Sequence, residues 1–589
     1  MKPNRFSILY NIFYIVDMSP AKLLLVALAT VMACPVWAQS ARRFDLLITE
    51  IMADPTPAVG LPHAEYIEIK NVSATSYNLQ GWRLSDATGT ALINTAFVLP
   101  PDSAVILCAN SNVAQFVPFG PTIGVTSFPS LDNDGELLVL RSPQHAVIHA
   151  VEYNSSWYAN AVKQEGGWSL EMIDIANPCT GKENWKASTS SAGGTPGQPN
   201  AVRGSNADDT PPHLKKAYVL TSDQVILQFN EPLDSSSAAT ATNFTVQGLT
   251  VVIATPLPPL FQQVQVQLQS TLQPGQVYTV TASQVTDCKG NAIGAFNKAK
   301  LGIPQPAIAG DVVINEILFN PGPGASDYVE VYNRSNKIID AAALYLANRN
   351  NSGAAASLRR LSEDPGYLFP GEYLVVTEDR EALAKAYHVK NEDAVLQLSS
   401  LPSFPDDKGI AVLLSSTGNV LDELAYHKDW HFALVNEPEG VSLERIDPAA
   451  PTQNRNNWHS AAATAGYGTP GYQNSQYRAT ETVKATIRIT PAVFSPDGDG
   501  VDDVATIQYQ LADMGYVANV TIFDASGRLV RYLVKNDLLS QKGFWKWDGL
   551  GERQNKLPIG TYIIFIEIFN LEGKKQSFKH TTVLARRLN

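Results

Sequence analysis

The chain of 589 residues carries 44 Lys and Arg against 56 Asp and Glu, a formal net charge of −12. That length is more than one hydrophobic core supports and predicts roughly three to five domains. The acidic balance argues against nucleic acid as a partner, because nonspecific phosphate binding needs surplus Lys and Arg to displace counterions.

The amino terminus reads as an export signal: Lys22 precedes the apolar run Leu23–Ala29, and Val36-Trp37-Ala38 supplies small residues at the two positions a signal peptidase reads. Residues 1–38 are therefore expected to be removed. Met18 is an alternative start to Met1, since the signal it would begin is already complete. Val31-Met32-Ala33-Cys34 also resembles a lipoprotein cleavage box, from which Met32 and Pro35 depart; that path would make Cys34 the lipid-bearing first residue. No later apolar run approaches the roughly 20 residues of a membrane span. No transmembrane span is expected, and the mature protein is expected to be secreted or held at the cell surface. Three cysteines remain after signal removal, which leaves at least one thiol unpaired or open to another chain. Cys108 ends the run Val105-Ile106-Leu107 and reads as a core residue. Cys179 and Cys288 stand in turn-like contexts, where a disulfide at Cys179 stays open.

From 41 to 200 the pattern is short alternating segments, at 46–51, 66–70, 105–108, 136–140 and 147–151. Between them lie clusters such as Asp54-Pro55-Thr56-Pro57 and Asp132-Asn133-Asp134-Gly135. Period-two runs with this punctuation predict an antiparallel sandwich. After a polar linker at 203–209, a second series fills 210–305. Its segments 224–229, 264–268 and 276–280 alternate strictly, with Leu272-Gln273-Pro274-Gly275 as the turn into the last. A third series spans 309–476. A fourth spans 482–589, with strands expected at 487–489, 506–511, 518–524, 529–534 and 562–569. The expected fold class is all-β: tandem antiparallel, Ig-like sandwiches arranged as beads on a string.

The first and third series share their motifs. Ile48-Thr49-Glu50-Ile51 and Glu65-Tyr66-Ile67-Glu68-Ile69 return as Ile314-Asn315-Glu316-Ile317 and Asp327-Tyr328-Val329-Glu330-Val331. Both copies then close on Ser-Leu-Glu (169–171, 442–444), Asn-Trp (184–185, 457–458) and Gly-Thr-Pro-Gly (194–197, 468–471). In this order these residues resemble the lamin tail domain, an immunoglobulin-like sandwich found in nuclear lamins and in many exported bacterial proteins. Phe229-Asn230-Glu231-Pro232-Leu233-Asp234 with Val285–Asn291 resembles the bacterial Ig-like modules of surface-layer and adhesin proteins, which act as spacers. Phe523–Arg528, Trp547-Asp548-Gly549 and Gly560-Thr561-Tyr562 resemble the FlgD-like Ig domain and the related carboxy-terminal sorting modules of Bacteroidetes. That resemblance implies type IX secretion and surface attachment.

Glu50 with Glu68, and Glu316 with Glu330, invite a catalytic carboxylate pair. The competing reading is that they accept hydrogen bonds from loop backbone and pin the sandwich edges. It is preferred because no histidine or metal-ligand cluster accompanies them at matching positions. Trp185 and Trp458 read as core plugs before sugar platforms. His427-Lys428-Asp429-Trp430-His431 offers two imidazoles about a carboxylate, a metal-site pattern. The aligned first copy has Asn154 and Tyr158 in place of His427 and His431, so the fold needs no histidine and a solvated loop is expected. In the acidic turn, Asp497, Asp499, Asp502 or Asp503 and the Val501 carbonyl can face one cation, with Gly498 and Gly500 permitting the tight path. Hard oxygen ligands at alternate positions suit calcium. The loop lacks the EF-hand register and its closing bidentate Glu, so a plain tight connection is the competing reading. Asp132, Asn133 and Asp134 form a weaker candidate, expected as a hairpin turn.

No Gly-x-Ser-x-Gly elbow, phosphate-cradling loop, His-Glu-x-x-His helix or Cys-x-x-Cys pair occurs in the sequence. The expectation is a non-enzymatic structural or adhesion protein of the cell surface, binding a protein or polysaccharide of the envelope or its surroundings. The alternative is an accessory binding protein working with an exported nuclease, phosphatase or other hydrolase, since lamin-tail modules often accompany such enzymes.

Overall fold

The computed structural model describes residues 40–435, 437–477, 485–571 and 574–586. The expected signal segment, Cys34 and the first residues of the fourth series lie outside them. The chain divides into two compact units, Met1–Asp208 with Pro258–Leu260, and Asp209–Leu257 with Phe261–Asn589.

The sandwich of the first unit has a six-stranded sheet in the order Trp185–Ala187, Leu170–Met172, Leu46–Met52, Tyr66–Asn71, Ala104–Ala109, Thr122–Val125. Its partner is a four-stranded sheet, Val147–Asn154, Gly135–Arg141, Arg83–Ser85, Thr90–Leu92. Ile48, Ile67, Ile69, Val105 and Leu107 meet Leu84, Leu138, Leu140 and Ile148 in one core, with Trp82 and Trp185 plugged into it. Alternation accounts for that face. It does not account for Leu46–Met52, where every residue is buried, because the reverse face is covered too. Met52, Tyr66, Ile106, Cys108 and Phe116 form a second, smaller core there.

The second unit repeats this architecture, with Val395–Gln397, Tyr373–Thr377, Tyr328–Asn333, Val312–Leu318, Leu443–Arg445 and Trp458–Ser460 as the larger sheet. Pairing is not wholly antiparallel. Ala104–Ala109 runs parallel to Thr122–Val125, as Tyr373–Thr377 does to Val395–Gln397. Parallel neighbours need a crossover, and the short helices Val113–Phe116 and Arg380–Ala386 lie in the two connections. The second unit also holds the Ig-like sandwich, in which Leu214–Thr221, Gln224–Phe229, Gln263–Leu268 and Val251–Leu257 pack on Phe244–Val246, Tyr278–Ala282 and Lys298–Leu301. Its last sandwich sets a three-stranded sheet, Thr486–Thr490, Ala505–Gln510, Lys542–Trp547, against a five-stranded one, with Trp547 fully buried between them. Cys108 is a buried free thiol.

Both copies of the repeated sandwich open on a bulged strand, the register slipping between Ile48 and Glu50 and between Ile314 and Glu316. A bulge strands backbone groups that must find other partners. The carbonyls of Thr49 and Asn315 accept from the side-chain amides of Asn200 and Asn474, both at 2.9 Å. The Ile48 amide donates to His149 Nδ1 at 3.1 Å, whereas the Ile314 amide donates to Asp422 Oδ2 at 2.8 Å. Asp422 is in turn held by Arg445, whose side chain is 1% exposed; the aligned residue of the first copy is Met172. A neutral His–Met pair and a charged Asp–Arg pair thus do the same work. Burial keeps His149 neutral by lowering its pKa to about 4.

Arg445→Met alone leaves a mostly buried Asp422 charge without its cation and is expected to cost about 3–5 kcal/mol. Adding Asp422→His, which reproduces the first copy, is expected to restore most of that loss in urea denaturation of the full chain.

Candidate functional site

The shared glutamates form a row on the sheet face turned away from the main core. Glu50 stands opposite Glu68 on one neighbouring strand and Glu171 on the other. Glu316 likewise stands between Glu330 and Glu444. All six are at most 2% exposed. Glu171 and Glu444 were visible in the Ser-Leu-Glu motif, but only strand pairing reveals them as the third members.

Each row is closed by its Gly-Thr-Pro-Gly segment. In the first copy, the Thr195 amide donates to Glu50 Oε1 at 2.7 Å, the Gly197 amide to Glu68 Oε2 at 2.8 Å and Thr195 Oγ1 to Glu171 Oε1 at 2.9 Å. In the second, Thr469 N reaches Glu316 at 2.9 Å, Gly471 N reaches Glu330 at 2.7 Å and Thr469 Oγ1 reaches Glu444 at 2.9 Å. Hydroxyls of Tyr66 and Ser169, and of Tyr328 and Ser442, donate to the central glutamates. The carboxyls therefore do accept from loop backbone, and the loop is latched onto the sheet. A side chain at Gly194 would put its Cβ 2.6 Å from the Tyr66 hydroxyl and 2.7 Å from Glu50 Oε1, so only glycine lets the loop approach this closely.

Burial governs the protonation of these groups. It pushes Glu50 up to about 8, with the neighbouring Glu68 charge adding to the effect, and Glu68 itself up to about 7. Glu316, Glu330 and Glu444 are all raised for the same reason. Geometry agrees at Glu50: Oε1 accepts from Tyr66, Ser169 and Thr195, while Oε2 has no donor. That is the pattern of a carboxylic acid whose carbonyl oxygen accepts and whose other oxygen carries the proton. Glu68 borders a surface cavity of about 750 Å3 shared with Lys70, Met172 and Arg203. Its two oxygens are already engaged by Thr49 and Gly197.

In the acidic turn, carboxylate oxygens of Asp497, Asp499 and Asp503 lie within 4.8 Å of one another. Asp503 accepts from the amides of Gly498 and Gly500 at 2.7 and 2.9 Å, which holds its pKa below the usual carboxylate range. Asp502 stands outside this group, in a left-handed conformation with φ 54°. Val501 is exposed, its amide bonded to Asp499 Oδ1. Three hard oxygens in an exposed loop are a donor set for a cation such as calcium.

Two expectations are corrected. His431 does not sit in a solvated loop: it is 9% exposed, bonded through Nδ1 to Ser460 Oγ and packed on the Phe319 ring, and burial lowers its pKa to about 4. His427 is the half-exposed member, its Nδ1 accepting from the Asp429 amide. The Asp132–Asp134 turn is not a hairpin, because the strands it joins, Thr122–Val125 and Gly135–Arg141, belong to different sheets. Trp185 and Trp458 are core plugs, 4% and 3% exposed.

Comparison with known proteins agrees with this anatomy. The family model for the Lamin Tail Domain matches residues 39–155 and 305–428, that for the Bacterial Ig-like domain 206–299, and that for the CHU_C Type IX secretion signal domain 488–583. The chain is thus an exported protein assembled from β-sandwich modules. It carries two lamin tail domains, a bacterial Ig-like domain and a C-terminal type IX secretion signal domain, and is secreted or held at the cell surface. The lamin tail matches end before the third glutamate and the latch, which nonetheless recur in both copies.

No curated protein matches the chain. Among solved structures, the N-terminal part of the bacterial S-layer protein SbsC is 17% identical, covering 28% of this chain and 40% of that one, with a TM-score of 0.15. A tetra-tandem repeat of a large adhesion protein is 10% identical, covering 92% and 99%, with a TM-score of 0.12. PorZ, a surface component of the type-IX secretion system of Porphyromonas gingivalis, is 9% identical, covering 89% and 74%, with a TM-score of 0.16. The chain spans 40% to 55% of the length of the S-layer structures it matches.

The latch has a pH signature. The folded value of Glu50, about 8, lies above the 4.5 of an unfolded glutamate, so its contribution is full below 4.5 and is lost as pH rises through 8. Stability of the first lamin tail domain is expected to fall between about pH 4.5 and 8, by up to about 1.4 kcal/mol per pH unit for each proton released. Glu50→Gln keeps an accepting oxygen and puts an amide where the proton sits. It is expected to stay within about 1.5 kcal/mol of the wild type at pH 6 and to flatten that slope, whereas Glu50→Ala, stranding three donors, costs about 3 kcal/mol or more. Denaturant titrations across pH check all three outcomes.

Proposed function

We propose that the protein is a non-enzymatic structural and adhesive scaffold of the cell surface, whose latched sandwiches carry exposed loops and clefts to an envelope or extracellular partner. The observation that carries this reading is the fate of the repeated glutamates. The acid–base groups most suited to catalysis spend their oxygens on their own closing loops, and are buried with them. Groups committed in this way hold a fold together and are not offered to a substrate. The secretion signal domain supports the same reading by supplying the route to the surface.

Export through an amino-terminal signal predicts that the mature protein begins at Gln39, which N-terminal sequencing of the secreted form checks. The scaffold reading predicts no turnover when that protein is screened against nucleic acid, phosphoester, carboxylic ester and glycoside substrates, and reduced surface attachment in cells lacking it. Turnover that follows the purified chain would overturn it.

We also propose that Asp497, Asp499 and Asp503 bind calcium. A cation that binds only the folded loop stabilises it by about 2.7 kcal/mol at a hundredfold excess over Kd. Calorimetry is expected to show the transition of the secretion signal domain rising with calcium and falling with chelator. Asp499→Ala removes that response, and a transition indifferent to calcium sinks the assignment.

A further inference from the structure

A cleft of about 790 Å3 lies in the second unit, where the closing segment of its lamin tail domain meets the three-stranded sheet of the secretion signal domain. The two domains are tied at this place. The hydroxyls of Thr464 and Tyr509 are 2.9 Å apart, Gln476 Nε2 donates to the Leu539 carbonyl at 3.4 Å, and Phe432 packs with Val517 and Leu538.

Strand register builds one wall. Arg488, Gln508 and Phe544 are cross-strand neighbours, as are Thr486, Gln510 and Lys542 in the next row. Alternation turns both rows away from the core, to which Ile487, Ile507 and Trp545 are directed. Phe544 is 54% exposed, a large ring that contributes nothing to its own domain's core. The facing wall carries Tyr472, Gln473 and Tyr477.

The chemistry of the lining is selective. In a chain of net charge −12, this cleft is lined, among the described residues, by no Asp or Glu and by no Leu, Ile or Val. What remains is aromatic rings, amides and hydroxyls that both donate and accept, and the two cations Arg488 and Lys542. The internal repeat acts as a control on the tyrosines. Tyr472 and Tyr477 align with Gln198 and Arg203 of the first copy. The lamin tail fold therefore does not require an aromatic at either position.

We propose that this cleft binds an oligosaccharide, neutral or acidic, an inference that rests on reading the chain as a surface scaffold. A pyranose presents apolar C–H faces that lie against aromatic rings, and hydroxyls that need partners able to donate and accept. A peptide held by its side chains calls for aliphatic or acidic pockets, and a cationic ligand for a carboxylate, neither of which the described lining residues supply. Arg488 and Lys542 permit a uronate or another acidic sugar.

The test is calorimetric titration of the full mature chain with hexasaccharides of β-glucan, chitin, xylan and polygalacturonate. Binding of at least one is expected. The double variant Phe544→Ala with Gln508→Ala, both on an exposed sheet face, is expected to weaken it roughly tenfold with the unfolding transitions unmoved. Lys70→Ala, in the first lamin tail domain, leaves it unchanged. The proposal is overturned if none of the four probes binds, if the double variant binds as well as the wild type, or if the face captures members of a peptide library and no glycan. Display of the chain at the cell surface, scored on the same variants, separates the two readings: a displayed scaffold that binds no glycan loses only this inference.

Discussion

Each lamin tail domain is held shut by a row of buried carboxyl groups. Three glutamates from three adjacent strands face a segment that arrives far along the chain, and the segment supplies the backbone and hydroxyl hydrogens that the carboxyls need. Burying three charged carboxylates side by side would cost several kcal/mol apiece. In the first copy burial offsets that cost by pushing Glu50 and Glu68 up to about 8 and about 7, and the closing segment supplies donors to the row. The result is a closure that depends on protonation as well as on packing. Without it the reverse face of the larger sheet, apolar at Met52 and Tyr66 and polar at the glutamates, would open to water.

The two copies show which parts of this device are fixed. Tyrosine, serine, threonine and two glycines recur around the central glutamate in both. The support of the bulge beside it does not recur: His149 with Met172 in one copy, Asp422 with Arg445 in the other. The requirement there is an acceptor for one stranded amide, and a neutral imidazole or a paired carboxylate satisfies it equally. Positions farther out, on the rim, diverge freely, Lys70 and Ala104 becoming Tyr332 and Tyr373. The gradient from fixed latch to variable rim separates what the fold demands from what each domain's surroundings demand.

Much of this was legible before the structure. Period-two runs located strands such as Gln224–Phe229, and the repeated motifs marked the glutamates and the closing loop. The pinning role of Glu50 and Glu68 followed from the absence of histidines around them. What escaped was tertiary. Glu171 joins the row only through strand pairing, and the parallel edge at Thr122–Val125 depends on a crossover too short to announce itself. His431 was expected in a solvated loop because the first copy has Tyr158 there and needs no histidine, yet Phe319 and Ser460, remote in sequence, bury it. The aligned Tyr158 of the first copy is buried as well, so the position belongs to the core in both copies although neither requires a histidine there.

The chain thus keeps two kinds of carboxylate chemistry apart. The repeated glutamates are buried and bonded to their own closing loops, which makes them structural. The Asp497, Asp499 and Asp503 group is wet and tied to its own loop by short backbone contacts, which leaves it in reach of ions. Clefts follow the same division. Glu68 contributes to a cavity wall without a free oxygen, whereas the cleft beside Phe544 sets an exposed sheet face with Gln508 and Phe544 beside the committed Thr469 and Asn474. Interactions that build the sandwiches are internal and occupied, so recognition by this molecule falls to surfaces the fold leaves unconstrained.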